Sequence, residues 1–280
     1  MVARSARRKA RGSSVSARRA ARRPVMSWLA RAGLAARGAV YVLIGWIALE
    51  IAFGTSHQQA DSSGALRTVG RSGFGVVVLW LIAIGFIGLT LWRLSEAAWG
   101  APGPDGNKAT TRLASLGRAV IYGVLAFTVL KYALGLGAPS STNKQSKDLT
   151  AQFLHHPGGQ VIVALLGVAL AVGGAGLAYS YWKKKFLRNL RLGAASMTVR
   201  HVVTRIGQVG GVARGAVFVT AGIFLFIAAI TAKPGQARGI DSALRALART
   251  PLGPWLLGLV AIGLVLFGIY SWCEARWRAV

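Results

Sequence analysis

Six apolar stretches recur along this chain, at residues 38–53, 75–91, 119–137, 161–182, 215–232 and 254–273. With its flanks, each reaches the ~20 residues that an α-helix needs to cross a hydrocarbon core about 30 Å thick. Four of the six hold no charge; the first carries Glu50 near its end and the third carries Lys131. Buried helices of a large soluble domain would read similarly, but too little polar chain lies between the runs to bury six of them. The overall make-up agrees: 54% of residues are hydrophobic, 36 are glycine, and only seven are Asp or Glu. The fold class expected is an all-α membrane protein with six transmembrane helices.

The six runs fall into three copies of one hairpin pattern. The first helix of each unit opens with Ala36-Arg37-Gly38-Ala39-Val40-Tyr41, Gly117-Arg118-Ala119-Val120-Ile121-Tyr122 or Ala213-Arg214-Gly215-Ala216-Val217-Phe218. An aromatic residue follows each arginine by four positions, hence on the same helix face. The second helix opens with Gly73-Phe74-Gly75, Pro157-Gly158-Gly159 or Pro251-Leu252-Gly253, and the arginine-to-glycine distances are 38, 41 and 39 residues. The expected organisation is a basic tail (1–27) and hairpin repeats at 28–100, 112–183 (degenerate) and 204–278. Proline in a first helical turn loses no bond it needed. Small residues at four-residue spacing, such as Gly207, Gly211 and Gly215 or Gly167, Ala171 and Ala175, suit close helix packing.

The thrice-repeated Ala-Arg-Gly-x-Val-Tyr opening, followed by a Pro-x-Gly opening, resembles the bacterial domain-of-unknown-function family 1206. That family is mostly actinobacterial and built of tandem two-helix membrane units. The resemblance covers roughly residues 28–278, with Gly117-Arg118-Ala119 departing from the pattern in the middle unit. It implies an architecture and an inner-membrane address, and it brings no activity. Mitochondrial carriers also have three two-helix units, but their Pro-x-Asp/Glu-x-x-Lys/Arg signature is missing here.

A net charge of +27 needs its own account. The first 31 residues hold ten Lys/Arg and no acid, with no apolar stripe, so the tail is expected to be disordered. It lacks the apolar core of a secretory signal. Its leading role is contact with anionic phospholipid, where each basic residue contributes about 1 kcal/mol. A transit peptide fits the composition too, though less well given the bacterial resemblance. Nucleic acid is the weakest partner, because no aromatic residue interleaves the arginines before Trp28. If the N-terminus is cytoplasmic, inner segments hold 25 of the 34 Lys/Arg, as the positive-inside rule requires. Both termini are then cytoplasmic, and Lys183-Lys184-Lys185 opens a second basic inner segment.

Glu96 and Glu274 each lie 21 residues after the glycine that opens their helix, and the middle unit has Ser180 there. A rise of about 31 Å brings all three to the arginine end of the bundle. Hairpin geometry then predicts Arg37 beside Glu96 and Arg214 beside Glu274, leaving Arg118 without a carboxylate. Two readings of Arg37, Arg118 and Arg214 stand side by side. In one they are structural, snorkelling or ion-paired. In the other, pseudo-threefold packing gathers them into a vestibule for a phospholipid headgroup or another anion, since guanidinium binds phosphate bidentately. Glu50 and Lys131 are weaker candidates, as an ion pair or a coupling site.

The remaining signals point away from chemistry. Cys273 is alone, and His57, His155 and His156 have no metal-ligand spacing. No hydrolase, metalloprotease or phosphate-loop motif occurs, so no enzyme, cofactor or metal is expected. Seven of nine tryptophans (Trp28, Trp92, Trp99, Trp182, Trp255, Trp272, Trp277) fall near helix ends, as an interfacial belt would have them. Mid-span polar residues are scarce, chiefly Thr128 and Thr220. The functional expectation is therefore a non-catalytic scaffold or accessory subunit contacting anionic lipid, with a small anion transporter or channel as the alternative.

Overall fold

The computed structural model describes residues 24–54, 58–101, 106–193, 195–237, 239–248 and 253–278. Most of the basic tail, and His57, lie outside the described residues. Nine α-helices run through them: α1 (Pro24–Ala52), α2 (Ser62–Gly70), α3 (Gly75–Trp99), α4 (Ala109–Ala133), α5 (Thr142–Leu154), α6 (Gly159–Trp182), α7 (Met197–Ile230), α8 (Ile240–Ala248) and α9 (Gly253–Trp277). Six of these, α1, α3, α4, α6, α7 and α9, are long and apolar enough to cross a membrane. The protein is an all-α, six-span membrane protein. Its first helix already runs at Pro24, four residues ahead of the expected unit boundary.

The heaviest packing lies between the two-helix units rather than inside them. α3 packs on α4, α6 on α7, and α9 on α1, so the second helix of each unit meets the first helix of the next, cyclically. Inside the units α1 touches α3 and α7 touches α9, but α4 and α6 barely meet. The spans therefore form an arc in the order α4, α3, α1, α9, α7, α6, with its opening inside the degenerate unit. Glycines set the tightest crossings. A Cβ on Gly38 would come 2.8 Å from the Gly268 carbonyl, and one on Gly174 would come 2.8 Å from that of Gly215, leaving no room for a methyl group.

The glycine opening the second span has a local cause that sequence reading assigned to helix packing. A Cβ on Gly75 would strike the Val69 carbonyl, and one on Gly159 the Phe153 carbonyl. Each short helix ends directly over the start of the span that follows it.

The short helices α2, α5 and α8 form a layer across the end of the bundle opposite the repeat arginines. Asp61 is fully buried and caps α2 by accepting from Gly64 N at 3.0 Å. Its other oxygen accepts from Thr142 N (2.9 Å) and Oγ1 (2.7 Å) of α5. Asp241 of α8 accepts from Ala60 N at 2.9 Å and from Asn143 Nδ2 at 3.1 Å. Asn143 Oδ1 in turn accepts from Gly239 N at 2.7 Å. Asp61→Asn turns one acceptor into a donor facing donors, and the expected cost is about 2–3 kcal/mol. The midpoint of thermal unfolding in detergent reads it, and an unshifted midpoint would show that the layer does not brace the bundle.

Candidate anion site

At the other end the cyclic packing brings the three repeat arginines around one cavity of about 300 Å³. Arg37, Arg118 and Arg214 share its lining with Arg93, Arg278 and Lys185, against a single lining carboxylate, Glu274. Six cations face one acid there.

The ion pairs differ from the hairpin expectation. Arg37, only 5% exposed on α1, donates from Nη2 to Glu274 Oε2 of α9 at 2.5 Å and to Ser271 Oγ at 3.0 Å. Its Nη1 lies 3.5 Å from the Tyr122 hydroxyl of α4. The other Glu274 oxygen accepts from Arg278. Glu96 accepts from Arg93 Nη1 at 2.6 Å and from Ser115 Oγ of α4 at 3.2 Å. Glu274 thus pairs across to α1, the helix packed against its own, whereas Glu96 pairs within its own helix and reaches the neighbouring α4 through Ser115. Depth along the helix was read correctly from spacing, and the partner helix was not.

The unit that lacks a carboxylate leaves a second arginine, Arg214, facing a helix without one. Ser180 of α6 stands where Glu96 and Glu274 stand, and α6 packs on α7, which carries Arg214. Arg214 lies over the rings of Phe267 (4.8 Å), Phe218 (5.0 Å) and Tyr41 (5.3 Å), contacts that favour a cation. Its Nε is buried without a hydrogen-bond partner. Two of these rings are the aromatics placed one turn after a repeat arginine. Arg118 is solvent-accessible at the cavity margin.

Like charges crowd the rim. Burial, and after it the proximity of Arg93, pulls the Arg278 guanidinium down to about 9, still cationic at neutral pH. An anion in the cavity would relieve that crowding. The loop after α6 closes one side: residues Lys185–Asn189 form a 3₁₀ turn whose Phe186 is buried against Tyr181 and Tyr270. Arg191 N donates to Trp277 O at 2.8 Å, tying that loop to the end of α9. Lys185 consequently lines the cavity, while Lys183 and Lys184 are exposed.

Other sequence candidates fall outside this cluster. Glu50 sits on α1 and accepts from Trp46 Nε1 at 2.9 Å, and Lys131 is exposed on α4. These helices lie on either side of α3 in the arc. His155 and His156 are exposed after α5. Trp92, expected in the interfacial belt, is buried between Arg93 (4.3 Å) and Arg278 (4.6 Å). Sequence reading passed over Arg93 and Arg278, and took Lys185 only as part of a basic segment. The signal was there for two of them, since Arg93 precedes Glu96 by three residues and Arg278 follows Glu274 by four, both same-face spacings.

The chain matches the family described as Domain of Unknown Function (DUF1206) three times, over residues 32–100, 113–183 and 209–278. YxxB of Bacillus subtilis (strain 168), itself described as an uncharacterized protein, is 30% identical over 251 residues, covering 89% of this chain and 90% of its own. No solved structure matches.

Proposed function

This chain belongs to the DUF1206 family, whose description names no activity, and we propose from its side chains that it is a non-catalytic scaffold or accessory protein of the bacterial plasma membrane that holds a phosphate-type anion in the arginine vestibule. One observation carries this reading: six cationic side chains line a single cavity with one carboxylate among them. A guanidinium cluster matches the planar, multidentate geometry of phosphate oxygens. Arg214, whose positional carboxylate is replaced by Ser180, is the chief ligand, with Arg118 at the margin. Glu274 is held by Arg37 and Arg278, so the lining offers no carboxylate or imidazole base for chemistry.

Binding rather than passage is supported by the bundle beyond the vestibule. Phe86, Ala126, Val129, Val260 and Leu264 fill that region and are buried. Thr128 and Thr220 donate to their own helices, to Val124 O at 2.8 Å and Ala216 O at 3.0 Å, rather than towards a path. The charge distribution supports a cytoplasmic vestibule, with both termini on that side, and the basic tail and Lys183–Lys184 add attraction to an anionic leaflet.

Titrating detergent-solubilised protein with glycerol 3-phosphate tests this. Wild type is expected to bind and Arg214→Gln to bind at least about tenfold more weakly, the loss of one charge-assisted hydrogen bond. No heat in either protein would dismiss the vestibule as an anion site. Saturable uptake of phosphate into liposomes carrying the protein would move the reading to a transporter.

A further inference from the structure

We propose, resting on that reading, that the anion is the headgroup of a membrane lipid whose acyl chains leave the vestibule through the seam between α4 and α6. The lipid class is a phospholipid with a terminal phosphate, of the phosphatidic-acid type.

The seam is where the arc of spans is open, because α4 and α6 barely touch. Both helices nevertheless wall the vestibule, α4 through Arg118 and Tyr122 and α6 through Leu177 and Ser180. The cation cluster therefore opens sideways, between two helices, into the hydrocarbon. Burial agrees. Only 28% of the α4 span and 17% of the α6 span is buried, against 39% to 56% for the other four.

The walls of the seam suit an alkyl chain. On α6, Gly173 lies four residues before Leu177 and seven before Ser180, on the same face, and a Cβ added there meets nothing within 4 Å. Leu166, one position pattern deeper on that face, is 49% exposed. On α4, Ile121 lies three residues beyond Arg118 and is 60% exposed, with Leu125 following. The result is a smooth apolar trough descending from a cationic mouth, complementary to an anionic head with a hydrocarbon tail. A terminal phosphate fits this mouth better than a phosphodiester because its second ionisation, with a pKa near 6, adds charge close to −2 at neutral pH. A second copy of the chain fits worse: a two-fold axis through the seam would bring two Arg118-bearing mouths together.

Two variants separate the seam from the vestibule. Gly173→Trp fills the trough from an open position, and Arg214→Gln removes the cation. Phosphatidic acid retained on detergent-solubilised protein is read by native mass spectrometry, and glycerol 3-phosphate affinity by calorimetry. Gly173→Trp is expected to lower retained phosphatidic acid about tenfold, roughly the contribution of two buried methylenes, while glycerol 3-phosphate binds as in wild type. Arg214→Gln is expected to lower both. If Gly173→Trp leaves lipid retention unchanged while glycerol 3-phosphate still binds wild type, the seam is refuted and the vestibule stands. If wild type binds neither, both fall. If wild type is a dimer that Gly173→Trp splits with no lipid present, the seam is an interface between copies and the lipid proposal is overturned.

Discussion

Glu274→Gln is expected to lower stability by about 3–5 kcal/mol, the usual cost of breaking a buried ion pair by removing one partner. The carboxylate is 4% exposed and receives Arg37 on one oxygen and Arg278 on the other. Neutralising it strands two guanidiniums in a cluster that already carries excess positive charge. Arg37 retains Ser271 and the weak Tyr122 contact, which satisfy hydrogen bonds without balancing the charge. The loss falls on the closure of α9 against α1, so thermal unfolding in detergent should begin there. Ser180→Ala, at the equivalent position of the middle unit, is the control, and as a substitution away from any ion pair it should stay within about 0.5 kcal/mol. Equal shifts for the two variants would mean that the α9–α1 crossing is held by its glycine packing alone.

Ser180→Glu is expected to weaken glycerol 3-phosphate binding by about a hundredfold or more without lowering the unfolding midpoint. The substitution restores to the middle unit the carboxylate that the first and third units possess. Glutamate there would engage Arg214, whose Nε has no partner now, and would occupy the position proposed for the anion. A negative charge about 4 Å from a phosphate is worth about 4 kcal/mol at an effective dielectric constant of 20, ample for a hundredfold effect. The same change relieves like-charge crowding, so stability should hold or rise. Undiminished binding would show that Arg214 is not an anion ligand. A clear fall in the unfolding midpoint would show that Ser180 occupies a site too tight for a longer side chain.

Much of the architecture could be read before any coordinates. Six uninterrupted apolar runs leave little choice of fold, and the recurrence of Arg37, Arg118 and Arg214 at matched distances from Gly75, Gly159 and Gly253 locates all three at one end. Partner choice was less accessible. Spacing fixes depth along a helix but says little about azimuth, so Glu96 and Glu274 were matched to arginines in their own hairpins. The structure pairs Glu274 with Arg37 of the first unit and Glu96 with Arg93 of its own helix. The same gap hid Arg214, whose packed helix α6 carries Ser180 where Glu96 and Glu274 stand. The layer of short helices was missed because its polar residues are spread over three connections. Scarcity was the available clue. In a chain with seven acids, Asp61 and Asp241 stood out as costly to place, and both proved buried.

The packing of α9 back onto α1 has a consequence for how the protein is made. Arg37 enters the bilayer with α1, but its carboxylate partner lies 237 residues downstream. At translation rates of roughly 5–20 residues per second, that arginine waits roughly 10–50 s for Glu274 to be synthesised. Ala60 waits similarly for Asp241, 181 residues further on. Nascent chains therefore pass through a period in which the first span displays an unmatched cation to lipid. A chain terminated before α9 would keep it permanently.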